Sequence, residues 1–386
     1  MAYSAPFIFC GELRLPGEVQ NLNNQTCQKY SGIGGQAILE GIMMKNRQNY
    51  ACAARKQDGS IALDVQKYVS LPEKYPVLAL PLVRGVFSFV DSMVLGMRSL
   101  NWSAEIYAEE NGEEEEPSAF EKWLDEKLGE KAEKVVMGVV MAFSFVLAIC
   151  IFMLLPMFLS TLLKKMIQNE FLIAFLEGVL RILIFITYIK LISRMEDIRR
   201  TFMYHGAEHK CINCVEHGLP LTVENVMKSS KEHKRCGTSF ILIVMVISIL
   251  FFMVIRVDTL AMRALSRIVL IPVIAGVSYE FLRWTGTHDS VLVNILSRPG
   301  MWMQGLTTKE PTADMAEVAI AAVEEVFDWR AYLRENFGWE DPESGKEGAA
   351  EKNAAEKAAE DKAGKAAAEA EGVRTGKAAA EAEKTA

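Results

Sequence analysis

Four long apolar segments restrict the fold of this 386-residue chain more than any other feature. A helix needs about 20 mostly apolar residues to cross the hydrocarbon core of a bilayer. We therefore predict a mainly α-helical, polytopic membrane protein with about four transmembrane helices, of which the third is the shortest. The segments run over 135–163, 171–192, 239–255 and 264–284.

The few charges inside these segments bear on function. Charges within a membrane are expensive and usually face a bundle interior or an aqueous cavity. Glu177 and Arg181 are four residues apart and so share one helix face, and Glu280 lies late in the fourth segment. They support a transporter-like protein as one hypothesis and buried structural ion pairs as the alternative. The sequence shows no convincing internal repeat, which weighs against a transporter.

The flanking sequence predicts the orientation. The first 20 residues contain neither a basic n-region nor a continuous apolar h-region, so no signal peptide is predicted. An even number of spans then leaves both termini in the cytoplasm, together with a loop over 194–238 that is rich in Lys and Arg, as the positive-inside rule expects. The seven cysteines lie mostly in this reducing compartment, so a disulfide framework is not expected.

Outside the spans the chain divides by composition. A small β-rich piece over 30–74 contains Asp58-Gly59, which favours a hairpin, and a glycine-rich run over 32–41, which favours a tight turn over a nucleotide site. The next segment, 75–102, spaces three charges by seven residues; it is either an amphipathic helix on the membrane, which we favour, or a buried helix with an inward polar stripe. The remaining segments are an N-terminal extension (1–29), an acidic linker and amphipathic helix (103–134) with a capping box at Ser118, a transmembrane core (135–306), a surface-packed amphipathic helix within 307–340, and a disordered Ala/Glu/Lys tail (341–386).

The motif that indicates chemistry is HxxEH at 205–209. On a helix His205 and His209 are one turn apart, so both imidazoles point the same way and can hold one metal ion, with zinc the expected choice. Glu208 shares much of that face and is the candidate general base. All five histidines fall in one quarter of the chain. The alternative is a hydrogen-bonded polar face without metal.

A helix supplies only two ligands, so the third must come from another element. The polar turn before the third span offers His233, our first choice, and Cys236, and Glu280 is a further candidate. No proline interrupts residues 157–219, so we expect the second span to continue as one helix through the histidines and to end near Gly218. Along such a helix Glu216 is too far from His209 to ligate the same ion.

Several motifs in order resemble the YqhQ-like family, a bacterial domain of unknown function (DUF1385). They are 34–37 with 40–41 and 43–44, then 84–85, 204–210, 235–240 and 297–300. The resemblance covers about residues 30–325 and implies a multi-pass protein of the bacterial cell (inner) membrane; it supplies no reaction. Glu40 and Arg84 belong to these motifs and join the candidate site residues. HxxEH itself also resembles the inverzincin protease signature, in which both histidines bind zinc, the Glu is the base and a downstream Glu is the third ligand.

Three functions follow as hypotheses. The leading one is a metal-dependent hydrolase at the cytoplasmic membrane face, with its substrate unknown. The others are the transporter-like protein and a non-catalytic scaffold or assembly factor that docks through the β-rich piece and the helix at 312–333. The expected partner is the lipid bilayer and no nucleic acid is expected, while protein partners and a homo-oligomer stay open.

Overall fold

The computed structural model describes residues 28–111, 132–163, 166–255, 259–288 and 290–340. The chain divides into two compact units, one up to Trp329 and one from Arg330 onward. Nearly all of the predicted N-terminal extension, the capping box at Ser118 and the Ala/Glu/Lys tail lie outside the described residues, as does most of the acidic linker.

Among the described residues, four helices are long and apolar enough to cross a membrane, which confirms the predicted polytopic helical fold. They run over Gly138–Leu163, Glu170–Ile192, Gly237–Val254 and Ala261–Gly286, and the third is the shortest at 18 residues. The most apolar 18-residue stretch of the first span has no buried residue, and Phe143 is 67% exposed. Lipid is the solvent that suits such continuous apolar surfaces, because soluble proteins rarely expose them.

The helices are numbered here in chain order. They are α1 Leu71–Lys74, α2 Val83–Asn111, α3 Ala132–Ile149, α4 Leu155–Leu163, α5 Glu170–Ile192, α6 Glu196–Glu216, α7 Val223–Lys228, α8 Gly237–Val254, α9 Leu260–Thr287, α10 Val291–Thr307, α11 Ala313–Val326 and α12 Trp329–Phe337. A π-helical turn at Cys150–Leu154 joins α3 to α4 within the first span.

The small β-rich piece is a four-stranded antiparallel sheet in the order β1-β2-β3-β4. Its strands are β1 Ile33–Ile38, β2 Gly41–Asn46, β3 Asn49–Arg55 and β4 Ile61–Lys67. The predicted hairpin joins β3 to β4, where Gly59 has a φ of +85° and Asp58 Oδ1 accepts a 2.8 Å hydrogen bond from the Ser60 amide. The glycine-rich run forms β1, an edge strand, and the turn into β2.

The sheet is covered on both faces. On one face Leu95 of α2 packs into a buried cluster with Ile38, Met43, Tyr50 and Cys52. On the other face lie α6 and α11. The helix predicted at 312–333 was expected to pack on the surface as one element. The structure instead ends α11 at Val326 and buries its apolar face, namely Met315, Ala316, Val318, Ala319, Ala322 and Val323.

Helix α2 turns its polar stripe inward, as in the second interpretation of 75–102. Asp91 accepts hydrogen bonds of 2.8 Å from the Tyr68 hydroxyl and the Leu71 amide, and Arg84 forms an ion pair with Glu280 of α9. Apolar side chains on the opposite face, including Phe89 and Met93, are exposed. Membrane contact through that exposed face stays a prediction.

The expectation that the second span runs unbroken into the histidine helix is wrong. Helix α5 ends at Ile192, and α6 begins at Glu196 after Met195, whose backbone is extended (φ −68°, ψ 135°). The change of direction lets α6 lie against β1 and α11 instead of projecting from the bundle. In the sequence, two spans lie between the sheet and α6, and two more lie between α6 and α11. In the structure α6 contacts both the sheet and α11, so all three lie on one side of the span bundle.

Candidate metal centre and its cleft

Helix α6 is a polar helix buried inside the protein. It ends as predicted near Gly218, which has a φ of +80°. Its buried polar residues are Glu208, His209, Lys210, Asn213 and Glu216. Buried polar groups are costly unless they are hydrogen-bonded, so the helix depends on partners from the surrounding chain.

Several of these hydrogen-bond partners are backbone carbonyl groups of the segment at 227–232, which point toward α6. The Lys210 ammonium donates to the Met227 and Ser229 carbonyls at 2.9 and 2.8 Å. The Asn213 amide donates to the carbonyls of residues 230 and 232 at 2.7 and 2.8 Å. These contacts fix the segment that carries the carbonyl of residue 231.

That carbonyl orients one of the two motif histidines. His209 Nδ1 lies 2.7 Å from the Lys231 carbonyl oxygen, and His205 Nδ1 lies 3.0 Å from the Thr307 carbonyl oxygen. A carbonyl oxygen only accepts hydrogen bonds, so each Nδ1 carries the proton and each Nε2 keeps a free lone pair. Metal-binding histidines are usually oriented in this way by a second hydrogen bond.

The third member of the cluster is Cys236. Its Sγ lies 3.2 Å from His205 Nε2 and receives a 3.4 Å hydrogen bond from the Thr238 amide at the N-terminus of α8. The dipole of a helix favours a negative ligand at this end. One ligand atom from each of His205, His209 and Cys236 lies within 4.8 Å of the others.

This donor set fits a zinc ion. In a tetrahedral site with Zn–N and Zn–S bonds of about 2.0–2.3 Å, neighbouring ligand atoms are roughly 3.3–3.8 Å apart. The Cys236 Sγ to His205 Nε2 distance of 3.2 Å is close to that range, and all three ligand atoms lie within 4.8 Å of one another, so side-chain movements of about 1 Å would complete the site. Two imidazole nitrogens and one sulfur leave a fourth position for water or substrate, as in catalytic zinc sites.

Glu208 lies beside this cluster with its carboxyl group almost fully buried. Burial raises the pKa of Glu208, while His205 and a hydrogen bond from the Gly35 amide act in the opposite direction. Gly35 belongs to the edge strand β1, and a Cβ at that position would press on both the Met43 carbonyl and the Glu208 carboxyl. The glycine-rich run therefore permits the close approach of backbone to carboxylate.

His233, the first choice for a third ligand, stands beside the cluster but faces another group. Its ring centroid is 5.6 Å from that of His209, whereas its Nε2 lies 3.5 Å from Glu216 Oε2. Burial lowers the pKa of His233 to about 4, so its ring is neutral. Burial alone would raise the pKa of Glu216, but His233 and Arg235 outweigh it and hold that pKa at about 2.

The other predicted residues lie elsewhere. Glu280 and Arg84 pair with each other between α9 and α2, and Glu40 pairs with Arg200 at the turn after β1. None of these three belongs to the group of possible metal ligands found among the described residues. They hold the elements around the site in place.

Sequence reasoning missed one residue at the centre of the motif. A Cβ on Gly206 would overlap the carbonyl oxygen of Lys309, so this glycine lets α6 approach the chain that follows α10. The Lys309 amide donates to the Phe202 carbonyl at 2.9 Å across the same contact. This approach brings the Thr307 carbonyl to His205. The signal was present as the glycine inside HGAEH, but its partner is about 100 residues away.

Two cavities meet at the site. The site cavity, of about 480 Å³, is lined by the two motif histidines, Glu208, His233 and Cys236. The side cavity, of about 430 Å³, lies between the sheet and α2. Residues 33–36, Ser92 and Arg235 line both, so the two cavities adjoin at the edge strand β1.

The intramembrane charges form a separate cluster. Glu177 is 2% exposed and contacts three guanidinium groups: Arg181 at 3.3 Å, Arg263 at 3.5 Å, and Arg267 Nη2 at 2.7 Å. The predicted Glu177–Arg181 pair is thus confirmed. The cluster lies near the start of α5 and α9, at the end of the bundle opposite to α6. Glu177 and Glu280 do not share a site.

Comparisons with known proteins agree with the architecture. The family model described as "Protein of unknown function (DUF1385)" matches residues 80–329. The chain is 35% identical over 309 residues to the "Uncharacterized protein YqhQ" of Bacillus subtilis (strain 168), which covers 78% of this chain and 94% of that protein. No solved structure matches the chain.

Proposed function

The chain belongs to the DUF1385 family, and from that premise we propose that it is a metal-dependent hydrolase with its site at the cytoplasmic face of a bacterial cell membrane. His205, His209 and Cys236 would hold the ion, zinc or a similar divalent metal. The observation that carries the proposal is the orientation of both imidazoles, whose Nδ1 atoms contact carbonyl groups, in a cluster where His205 Nε2 lies 3.2 Å from the Cys236 sulfur and one ligand atom of His209 lies within 4.8 Å of the others.

Each group of the chain has a defined part in this proposal. A bound zinc ion would act as a Lewis acid and make a coordinated water more acidic. Glu208 accepts a proton from water at a carboxylate oxygen and returns it to the leaving group. The Gly35 amide holds that carboxylate in place. Arg235 and Glu216 fix His233 as the neutral wall of the cavity.

Metal analysis of the protein purified in detergent without chelators tests the site. We expect close to one divalent ion per chain, and loss of the ion in the His205→Ala, His209→Ala double variant and in Cys236→Ser. His288→Ala is the matched control, because this exposed histidine is outside the cluster. Metal-free wild-type protein, or equal metal content in the double variant, would overturn the proposal.

The role of Glu208 separates an enzyme from a scaffold. Glu208→Gln keeps the shape of the side chain and removes only its basicity, so metal content and abundance should stay normal while cellular function is lost. The measurement is complementation of a deletion strain together with immunoblotting. Full complementation by Glu208→Gln would favour the scaffold hypothesis over hydrolysis.

A further inference from the structure

The side cavity that opens beside the candidate metal centre contains an excess of positive charge. Lys45, Arg47 and Arg235 line it, and Asp91 is its one acidic lining residue. Arg235 is already paired with Glu216, and the Asp91 carboxylate accepts hydrogen bonds from the Tyr68 hydroxyl and the Leu71 amide. Lys45 and Arg47 outweigh the single charge of Asp91 and leave the cavity with a net positive charge.

In the described part of the chain, neither of these two cations has an ion-pair partner. The Lys45 ammonium lies 5.1 Å from the centre of the Tyr68 ring, and Arg47 is exposed. Lys45 pairs with Gly34 of the edge strand, and Arg47 follows the end of β2. Surface cations without partners are common, but two that line one concave cavity create a local positive potential that attracts anions.

The hydroxyl groups of the cavity add neutral donors. Ser70 and Ser88 both line it, and the Ser70 side chain does not cap the helix that follows it. An ammonium, a guanidinium fork and two hydroxyls provide more donors than the two oxygens of a carboxylate can accept. A phosphate group, with three or more acceptor oxygens, matches this set.

We infer that the side cavity binds a phosphate or phosphodiester group of the substrate, while the bond to be cleaved lies in the site cavity. The inference rests on the proposed function, because it assigns the anionic end of a substrate whose other end reaches Glu208. The lining that the two cavities share at 33–36 and at Arg235 places the two ends side by side at the edge strand β1. The same chemistry fits a soluble phosphate ester or the headgroup of a phospholipid.

Titration calorimetry on the metal-loaded protein in detergent tests the inference with inorganic phosphate and glycerol 3-phosphate as probes. A charge-assisted hydrogen bond contributes about 1.5–3 kcal/mol, so Lys45→Gln and Arg47→Gln should each weaken binding about tenfold or more. The control is Lys67→Gln, which removes an exposed lysine of β4 that does not line the cavity, and this variant should bind as the wild type does.

A second arm distinguishes the sources of the phosphate. Wild-type protein in nanodiscs of phosphatidylglycerol should retain this lipid more strongly than the Lys45→Gln, Arg47→Gln double variant does if the group is a lipid headgroup, and should not if the ligand is soluble. Wild-type protein that binds neither probe and retains no anionic lipid would overturn the inference, as would a double variant that binds like the wild type. If phosphate does not bind but the protein contains metal, the inference fails and the proposed function stands. If phosphate binds to a protein that contains no metal, the proposed function fails and the phosphate site stands.

Discussion

Replacing Glu177 with glutamine should strongly destabilise the span bundle. Glu177 neutralises part of the charge of three guanidinium groups, so the cluster carries +3 − 1 = +2. Guanidinium groups do not deprotonate in proteins, so Glu177→Gln raises that charge to +3 in a region 2% exposed at its centre. Removing one partner of a buried ion pair typically costs about 3–5 kcal/mol.

Arg263→Gln changes the same cluster in the opposite direction. It lowers the charge to +1 at the most exposed of the three arginines, 14% exposed, and leaves Glu177 paired with Arg181 and Arg267, so its cost should be well below that of Glu177→Gln. At about 2–4 °C per kcal/mol, thermal unfolding in detergent should fall by roughly 10 °C for Glu177→Gln and by little for Arg263→Gln. Glu170→Gln, at the exposed start of the same helix, is the control. An unfolding temperature unchanged by Glu177→Gln, or equal losses for both variants, would refute the charge argument.

Three further outcomes are expected. Gly206→Ala should force α6 away from Lys309 and remove metal without unfolding the spans, as metal analysis and circular dichroism would show together. Burial lowers the pKa of His233 from 6.5 to about 4, so the folded state binds fewer protons than the unfolded state between these pH values. The stability that this histidine contributes above about pH 6.5 should therefore be lost as the pH falls toward 4. Thermal melts in a pH series check this, and His233→Asn should make the melting temperature depend less on pH. Leu95→Ala should cost about 2–5 kcal/mol in chemical denaturation, because Leu95 is 4% exposed beneath the sheet, whereas Met93→Ala on the exposed face of α2 should cost little.

The parts of the fold with a local cause were predictable from the sequence. The four spans follow from uninterrupted apolar composition, and the β3–β4 hairpin follows from Asp58-Gly59. The HxxEH spacing places His205 and His209 one helical turn apart, so helix geometry alone brings their rings together. The third residue of the cluster has no such local cause. His233 and Cys236 were both candidates, and only the packing of Glu216 against His233 turns that ring away.

The break between α5 and α6 also has no local signal. Residues 193–195 are Ser-Arg-Met, without proline or glycine, so propensity favours a continuous helix. Packing of α6 against β1 and α11 decides otherwise. The group that orients His205 is the backbone carbonyl of Thr307. Every residue type has this group, so the sequence could not indicate which one contacts the histidine.

The wide sequence separation of these contacts has a consequence for biogenesis. Arg55 of β3 donates to the carbonyl of Asp314, 259 residues later, and the carbonyl that orients His205 follows it by 102 residues. The sheet leaves the ribosome first, yet α11, which covers one of its faces, is made only after all four spans. At about 5–20 residues per second, the emerging sheet waits roughly 13–50 seconds with apolar surface exposed. Folding of the layer that the sheet forms with α6 and α11 is therefore late and aggregation-prone, and should depend on chaperones and on timely membrane insertion.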